Sequence, residues 1–584
     1  MRLNKLTIGS AKDSPTHQFK NLKNVTIDFD EKHWVTVVIG WNGTGKSNVL
    51  EALAIIFRDL IALKRMPSFA FKLRYRMGSG ATLRHIYIDS DPERTGDPFQ
   101  FYSGSEQDID NVMQVPQHPQ LGYILSEITQ GPHVINNYRV HAQEFLKEDS
   151  VYLPRYVFAY YSGEGKRMHS IFTPYLERYD KKLRSGEDPG LKRLFYAMPV
   201  HSQFVLLAFL IQQSEVVRAF LDEHLGLDPD EGIESVLFVL RQPPWKSKAP
   251  DGDARFWNAR GVVRDFLSRL YDIALAPIEV SRQVSTSIWN KKTLQFKYLY
   301  VKDIEALRSL VGDQAPAQFF RDLESTYVSE LIEEVRIKVR LKKNDGSVTF
   351  RELSEGEQQL LTVLGLLRFT AEDESLFLLD EPDTHLNPRW SVDYISYLKQ
   401  FIASGTNQEE TSHILLTTHN PLAIAELDRE QVQILRMSKE NEQRRIVACY
   451  PEMAPRGMGY AAIVTSDMFG IASSLDQPTQ LLLETQRAFA AKSLLSADEQ
   501  QELDIINAQL NRLGFRFFHP DDEYSRYLRL RNEILMARFT VTEPRDIADR
   551  VLAMSRFERE QLASKLIDKL MADDDDELMD RVDP

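Results

Sequence analysis

Gly40-Trp41-Asn42-Gly43-Thr44-Gly45-Lys46-Ser47 is a glycine-rich loop of the kind that curls its backbone N–H groups around phosphate. Before it, Trp34-Val-Thr-Val-Val-Ile39 is a short apolar, β-branched run that reads as a buried strand. After it, Asn48-Val-Leu-Glu-Ala-Leu-Ala-Ile-Ile-Phe57 has helical spacing. Strand, loop and helix therefore come in the order the motif needs. Glycine at 40, 43 and 45 permits backbone angles and a close phosphate approach that side chains would block. Lys46 is placed to reach the β- and γ-phosphates and Ser47 to ligate Mg²⁺, with Asn42, Thr44 and Asn48 completing the nucleotide-contacting stretch. A helix starting at Lys46 adds its positive end to the same site. Taken alone, such a motif arises by accident in a chain of this size on the order of a few per cent of the time.

Some three hundred residues further on, Leu376-Phe-Leu-Leu379 forms a fully apolar strand that ends in Asp380-Glu381-Pro382. Asp380 is expected to hold the Mg²⁺ through water, and Glu381 to act as general base on the attacking water. Adjacent carboxylates also occur as plain surface charges, but the end of a buried strand is a poor place for those. Leu415-Leu-Thr-Thr-His419 repeats the design, an apolar strand with a polar end. A lone histidine after a strand is more often structural; its order after the acidic strand makes His419 the candidate that senses the γ-phosphate or the attacking water. The expected fold is α/β, a mixed sheet flanked by helices around a phosphate loop.

Leu353-Ser-Glu-Gly-Glu-Gln358 resembles the signature motif of ABC-type ATPases, and Asp383-Thr-His-Leu386 resembles their D-loop. The plain alternative for the first is a loop opening a helix, since Gln359–Leu367 is helical in pattern. The resemblance implies that Ser354, Gly356, Glu357 and Asp383 complete the ATP site of a second copy, hence a homodimer across ATP sites or a higher oligomer. It also implies a Q-loop glutamine, which no context in the chain singles out.

The 584-residue chain is ordinary in composition, with 43% hydrophobic and 27% charged residues, and long enough for two or three domains. The longest apolar run, Phe204–Ile211, is too short to span a membrane, and the first ten residues lack a secretory pattern. A single cysteine, Cys449, excludes an internal disulfide, fits a reducing cytoplasm and reads as a buried structural thiol. Net charge of −14 argues against a broadly basic surface. The segmentation reads as the first part of the ATPase domain over 1–60, a large, mainly helical insertion with some strands over 61–325, the second part over 326–450, and a helical region with an acidic tail over 451–584. Ser496 with Glu499 is a capping-box pattern opening one of those last helices.

The insertion separates the branches of this family. It contains no coiled coil of the chromosome-maintenance kind and no membrane segment of the transporter kind. Overlapping-lysogenisation-defect nucleases append a Toprim domain, whose acidic pair is not found after His419. Asp108-Ile-Asp110 and Asp228-Pro-Asp230 lie in loop-like surroundings, and His519-Pro-Asp-Asp-Glu523 reads as a solvated turn. The chain resembles the ATPase subunit of Septu-type antiphage systems, also found as a retron effector. Tyr160-Tyr-Ser-Gly-Glu164, Arg241-Gln-Pro-Pro-Trp245 with Phe256-Trp-Asn-Ala-Arg-Gly261, and Thr465-Ser-Asp-Met-Phe-Gly470 carry that likeness beyond the ATP motifs. It implies a separate HNH nuclease partner and, in retrons, a reverse transcriptase with its DNA–RNA product. Alternatives are a DNA-repair or chromosome ATPase and a self-contained ATP-dependent nuclease. Direct DNA contact would fall to Lys72, Arg74 and Arg76, or to Arg282, Lys291, Lys292 and Lys297; the competing reading of both sets is the wet face of a strand.

Overall fold

A seven-stranded sheet holds the phosphate loop in the computed structural model, with strand order Gln443–Cys449, Val432–Glu440, Val35–Gly40, His413–Thr417, Ser375–Asp380, Tyr156–Tyr161, Leu194–Tyr196. The structure describes residues 1–114, 138–163, 165–211, 213–247, 249–285, 291–342, 347–370, 374–403, 412–440, 443–490, 492 and 495–515, with 530, 531, 534, 535, 538, 554, 555 and 557–568. Those residues form two units, Met1–Gly457 and Met458–Pro584.

The central strands of this sheet run parallel and only the Val432–Glu440/Gln443–Cys449 pair is antiparallel. Val35–Gly40, Ser375–Asp380 and His413–Thr417 are buried along their whole length, which explains their continuous apolar reading. The phosphate-loop strand does not touch the acidic strand directly, because His413–Thr417 lies between them. Parallel pairing brings Asp380 level with Thr417 and with Tyr161, so three strand ends converge on one rim.

A second, antiparallel sheet of six strands contains Arg2–Ile8 and Phe71–Met77 side by side. The helix Lys46–Arg58 shares one hydrophobic core with both sheets: Leu50, Leu53 and Phe57 pack in the same cluster as Leu6, Leu73, Leu378 and Leu415. A helix between two sheets must be apolar nearly all round, and Val49–Ala54, Ile56 and Phe57 are all buried. A boundary at residue 60 thus cuts across both sheets, since Phe71–Met77 completes the sheet begun by Arg2–Ile8, and Tyr156–Tyr161 lies beside the acidic strand. The segment between phosphate loop and signature carries strands as well as helices.

The third sheet, five-stranded and antiparallel, runs Leu275–Ser285, Lys291–Val301, Ile233–Arg241, Ile332–Arg340, Ser347–Thr349. Ile332–Arg340 and Ser347–Thr349 pair as a hairpin, with the turn residues 343–346 outside the described residues. Helices Val200–Ile211 and Glu355–Thr370 cross closely, and a Cβ at Gly365 would lie 2.0 Å from Val205 Cγ1.

In the second unit, Gln477–Ala490 and Ala497–Arg512 are helices whose Leu483, Phe489, Ile506 and Leu510 form a small core. Ser496 and Glu499 bond reciprocally at 3.3 and 2.8 Å, closing the capping box. The Thr465–Gly470 stretch is a helix end and turn, with Gly470 N–H donating to Ser466 O at 2.7 Å. The His519–Glu523 and acidic-tail readings lie outside the described residues.

Candidate nucleotide site

The phosphate loop keeps its shape through glycine. Gly40, Gly43 and Gly45 have φ of +150°, +84° and +92°. A Cβ at Gly40 would sit 2.3 Å from Leu435 O and one at Gly45 2.8 Å from Leu22 Cδ2, so these positions exclude side chains on packing grounds as well. At Gly43 a Cβ would meet nothing within 4 Å, on the open side where phosphate would lie. Thr44 faces the other way: its hydroxyl and N–H both donate to Trp41 O, at 2.7 and 3.2 Å.

Lys46 is buried, and its ammonium donates to Gly40 O at 2.9 Å and approaches Trp41 O at 3.5 Å. Burial lowers its pKa, opposed by the nearby charges of Glu381 and Asp380. Carbonyls of its own loop occupy the donors that phosphate oxygens would take over.

Asp380 lies at the strand end expected of a metal ligand. Its Oδ1 accepts from Ser47 Oγ at 3.1 Å and from Thr417 Oγ1 at 2.5 Å, while Oδ2 is buried with no hydrogen-bond partner. Burial raises its pKa, and the Thr417 and Ser47 bonds only partly offset that. A buried carboxylate oxygen without a partner beside a serine hydroxyl is the donor set a hard divalent cation prefers, so the residues fit Mg²⁺. Bound there with ATP, it would neutralise phosphate charge.

Glu381 has φ of +50°, an uncommon backbone state for a residue with a side chain. It is held there by N–H bonds to Thr417 O at 3.0 Å and Thr417 Oγ1 at 3.2 Å. Its Oε1 lies 2.9 Å from His419 Nε2, and that bond, ahead of His419's charge, keeps the carboxyl below its usual pKa. A carboxylate held toward its ionised form and a histidine thus meet at the rim.

Other predicted residues sit elsewhere. Ser354 and Glu357 form a capping box at the start of helix Glu355–Thr370, with bonds of 2.7, 2.8 and 3.3 Å. In a single chain Ser354 therefore bonds Glu357 and not the phosphate loop. Gly356 abuts the D-loop, where a Cβ would lie 2.4 Å from His385 O. Asp383, expected to reach a partner's nucleotide, is instead 4% exposed and accepts from Thr418 Oγ1 at 2.7 Å. Its burial raises its pKa to about 6, and Thr384 and His385 are the exposed residues of that loop. Trp41 is 69% exposed at the loop's tip, beside Asn42.

Several residues at the site escaped the sequence reading. Asn21 Nδ2 donates to Gly43 O at 2.8 Å and Asn48 Nδ2 donates to Asn21 Oδ1 at 2.6 Å, so Asn48 acts through Asn21 to brace the loop. The strand end beside Asp380, where Ser162 N–H donates to Asp380 O at 3.3 Å, carries Tyr161-Ser162-Gly163 and no glutamine. Arg167, at the start of helix Arg167–Ser185, stands over the Tyr161 ring at 5.4 Å.

The basic strands are largely committed to the protein. Arg74 is buried and pairs with Asp110, and Arg76 donates to Glu31 O at 2.9 Å. Lys297 is buried and pairs with Glu279, which leaves Arg282, Lys291 and Lys292 exposed in the second set. Asp108 caps its own helix by accepting from Ser105, and Asp230 pairs with Arg218. Cys449 is half-buried on its strand. Among the described residues no helix is long and apolar enough to cross a membrane.

Residues 227–425 match a family model described as an AAA domain of the AbiEii toxin, type IV TA system kind, and residues 17–96 match an AAA ATPase domain. The chain is 25% identical over 197 residues to the Septu protein PtuA of Bacillus mycoides, covering 32% of this chain and 26% of that one. It is 24% identical over 206 residues to the Retron Ec83 probable ATPase of Escherichia coli, covering 33% of each. With the Retron Vc95 probable ATPase of Vibrio cholerae the identity is 26% over 442 residues, 72% of each chain. The chain thus spans about a quarter and a third of the first two of these relatives. The phosphate loop and the Asp380–His419 rim each fall within a matched segment, and the chain carries AAA-type ATPase domains similar to those of Septu and retron ATPases.

Proposed function

We propose that this protein binds and hydrolyses MgATP, and that it serves as the regulatory ATPase of a bacterial antiphage system. One observation carries the enzymatic part: Lys46, Ser47, Asp380, Glu381 and His419, drawn from three strands, meet at one rim of a parallel sheet. In this reading the loop N–H groups and Lys46 bind the phosphates, Ser47 and Asp380 hold Mg²⁺, Glu381 accepts the proton of the attacking water, and His419 orients Glu381. Ser354 and Gly356 would complete the site of a second copy, making the active unit a homodimer or higher oligomer. Similarity to Septu and retron ATPases supports the defence role. Its partners in this reading are an HNH-type nuclease on another chain and, further, a reverse transcriptase with its DNA–RNA product.

Phosphate release from MgATP by the purified chain tests the first part. Glu381→Gln should keep nucleotide affinity and slow turnover by about 10²–10⁴-fold; near-normal turnover removes Glu381 as the base. Ser354→Arg should abolish turnover in its own homodimer, and unchanged activity at low protein concentration would rule out the shared site. Plasmid incubated with this chain alone in Mg²⁺ or Mn²⁺ should stay intact, whereas cutting would overturn the trans-acting nuclease.

A further inference from the structure

Arg167 stands at a helix start beside the Asp380 rim. It opens a helix with Lys166 at the N-cap, no acidic residue in the first turn and no side-chain cap, so cations crowd the positive pole of the helix. That arrangement costs stability unless an anion is to be received. Arg193, by contrast, spends its guanidinium on the carbonyls of Glu148, Pro154 and Arg155.

Its surroundings point at the nucleotide. Tyr161 is level with Asp380 in the sheet, and the Arg167 guanidinium stands over the Tyr161 ring at 5.4 Å while donating to its hydroxyl at 3.2 Å. Arg167 Nη1 also lies 3.4 Å from Glu51 Oε1. Glu51 is one helical turn beyond Ser47, on the same face of the phosphate-loop helix, which puts the guanidinium about one turn from the metal-binding hydroxyl. Asp380 and Arg167 each feel the other's charge.

Arg167 is also poised to let go. Its side chain is 50% exposed, and of its five N–H donors the Tyr161 bond uses one among the described residues. Glu51, buried to 6% side-chain exposure, is already paired with Lys20, so releasing Arg167 strands no buried charge. A planar fork with unspent donors suits the oxygens of a terminal phosphate better than a long ion contact to a carboxylate that has another partner.

We infer that Arg167 binds the terminal phosphate of ATP within its own chain, leaving Glu51 to Lys20, and that Tyr161 positions it. This rests on the ATPase reading above. Arg167 would thereby add, beside Lys46, a contact that the triphosphate has and the diphosphate lacks.

The test is equilibrium binding of MgATP and MgADP to the full chain, made in the Glu381→Gln background so that ATP persists. Arg167→Ala should weaken MgATP about tenfold or more and leave MgADP within about twofold. Arg167→Lys should recover part of the ATP preference, and Tyr161→Phe should lose a smaller part. Equal losses for both nucleotides, or none for either, overturn the assignment. If the unmutated chain binds neither nucleotide, the ATPase reading itself fails; if it binds both and Arg167→Ala matches it, only this inference falls. A thermal unfolding midpoint kept by Arg167→Ala and Arg167→Lys ties a selective loss to the missing phosphate contact.

Discussion

Asp380 and Glu324 are each about 1% exposed, and the protein treats these two buried carboxylates in opposite ways. Glu324, on helix Pro316–Val328, is saturated: Lys192 Nζ pairs with Oε1, and His201 Nε2 meets Oε2 at 2.7 Å. Met198 N–H donates to His201 Nδ1 at 2.8 Å, which makes Nε2 the donor to Glu324. Burial alone would raise the pKa of Glu324, but His201 and Lys192 override it and hold it at about 2. Asp380 has one oxygen bonded twice and the other bonded to nothing, and burial wins. One cluster is closed and needs nothing more; the other leaves one carboxylate oxygen unbonded, as the proposed Mg²⁺ site requires. The contrast separates a buried charge that fastens elements together from one kept ready for a ligand.

Exchanging each carboxylate for its amide would sharpen this. Glu324→Gln leaves Lys192, itself 1% exposed, as an uncompensated buried ammonium, and should cost about 3–5 kcal/mol in denaturant unfolding. A cost under about 1 kcal/mol would break the comparison, since the pair would then contribute nothing that packing does not. Because its folded pKa lies below the unfolded value, the stability Glu324 provides is present above pH 4.5 and is lost as pH falls toward about 2.

Asp383 should show the opposite slope. Its folded pKa, raised to about 6, means that stability present below the unfolded value of 3.8 is lost as pH rises through about 6. Asp383→Asn should remove that loss, worth on the order of 1–3 kcal/mol at neutral pH, because an amide oxygen still accepts from Thr418. Unfolding midpoints of the two proteins from pH 4 to 7 would converge at the acid end; parallel curves would refute the assignment.

The smallest change is expected at Asp380 itself. Asp380→Asn should leave the nucleotide-free protein unchanged or more stable by up to about 1 kcal/mol, while abolishing the stabilisation that MgATP gives the parent. A destabilisation like that of Glu324→Gln would mean Asp380 is structural after all.

What could be read in the chain followed from local chemistry. Glycine spacing in the loop, the apolar runs ahead of Asp380 and His419, and the Ser496–Glu499 cap are each written within a few neighbouring residues. What could not be read arises from strand order. Nothing near Asn21 announces that its amide will brace Gly43, and nothing near Tyr161 announces that Asp380 will lie beside it. Arg74 and Lys297 looked like wet-face cations because alternation reveals a face and not the acid that another element brings to it. Motif position placed Asp383 in its loop, but nothing nearby announces that Thr418, just past the neighbouring strand, will bond it within the chain.

The contact at Gly356 has a consequence for timing. With only 2.4 Å between His385 O and a would-be Cβ, the first turn of the signature helix and the loop after Glu381 have no slack between them. If a second copy's phosphate draws Ser354 out of its cap, the displacement meets His385, and only Pro382, Asp383 and Thr384 separate that residue from Glu381. Gly356→Ala has to part the two segments, and slower phosphate release by that variant, with its fold kept, would show that the fit matters to turnover.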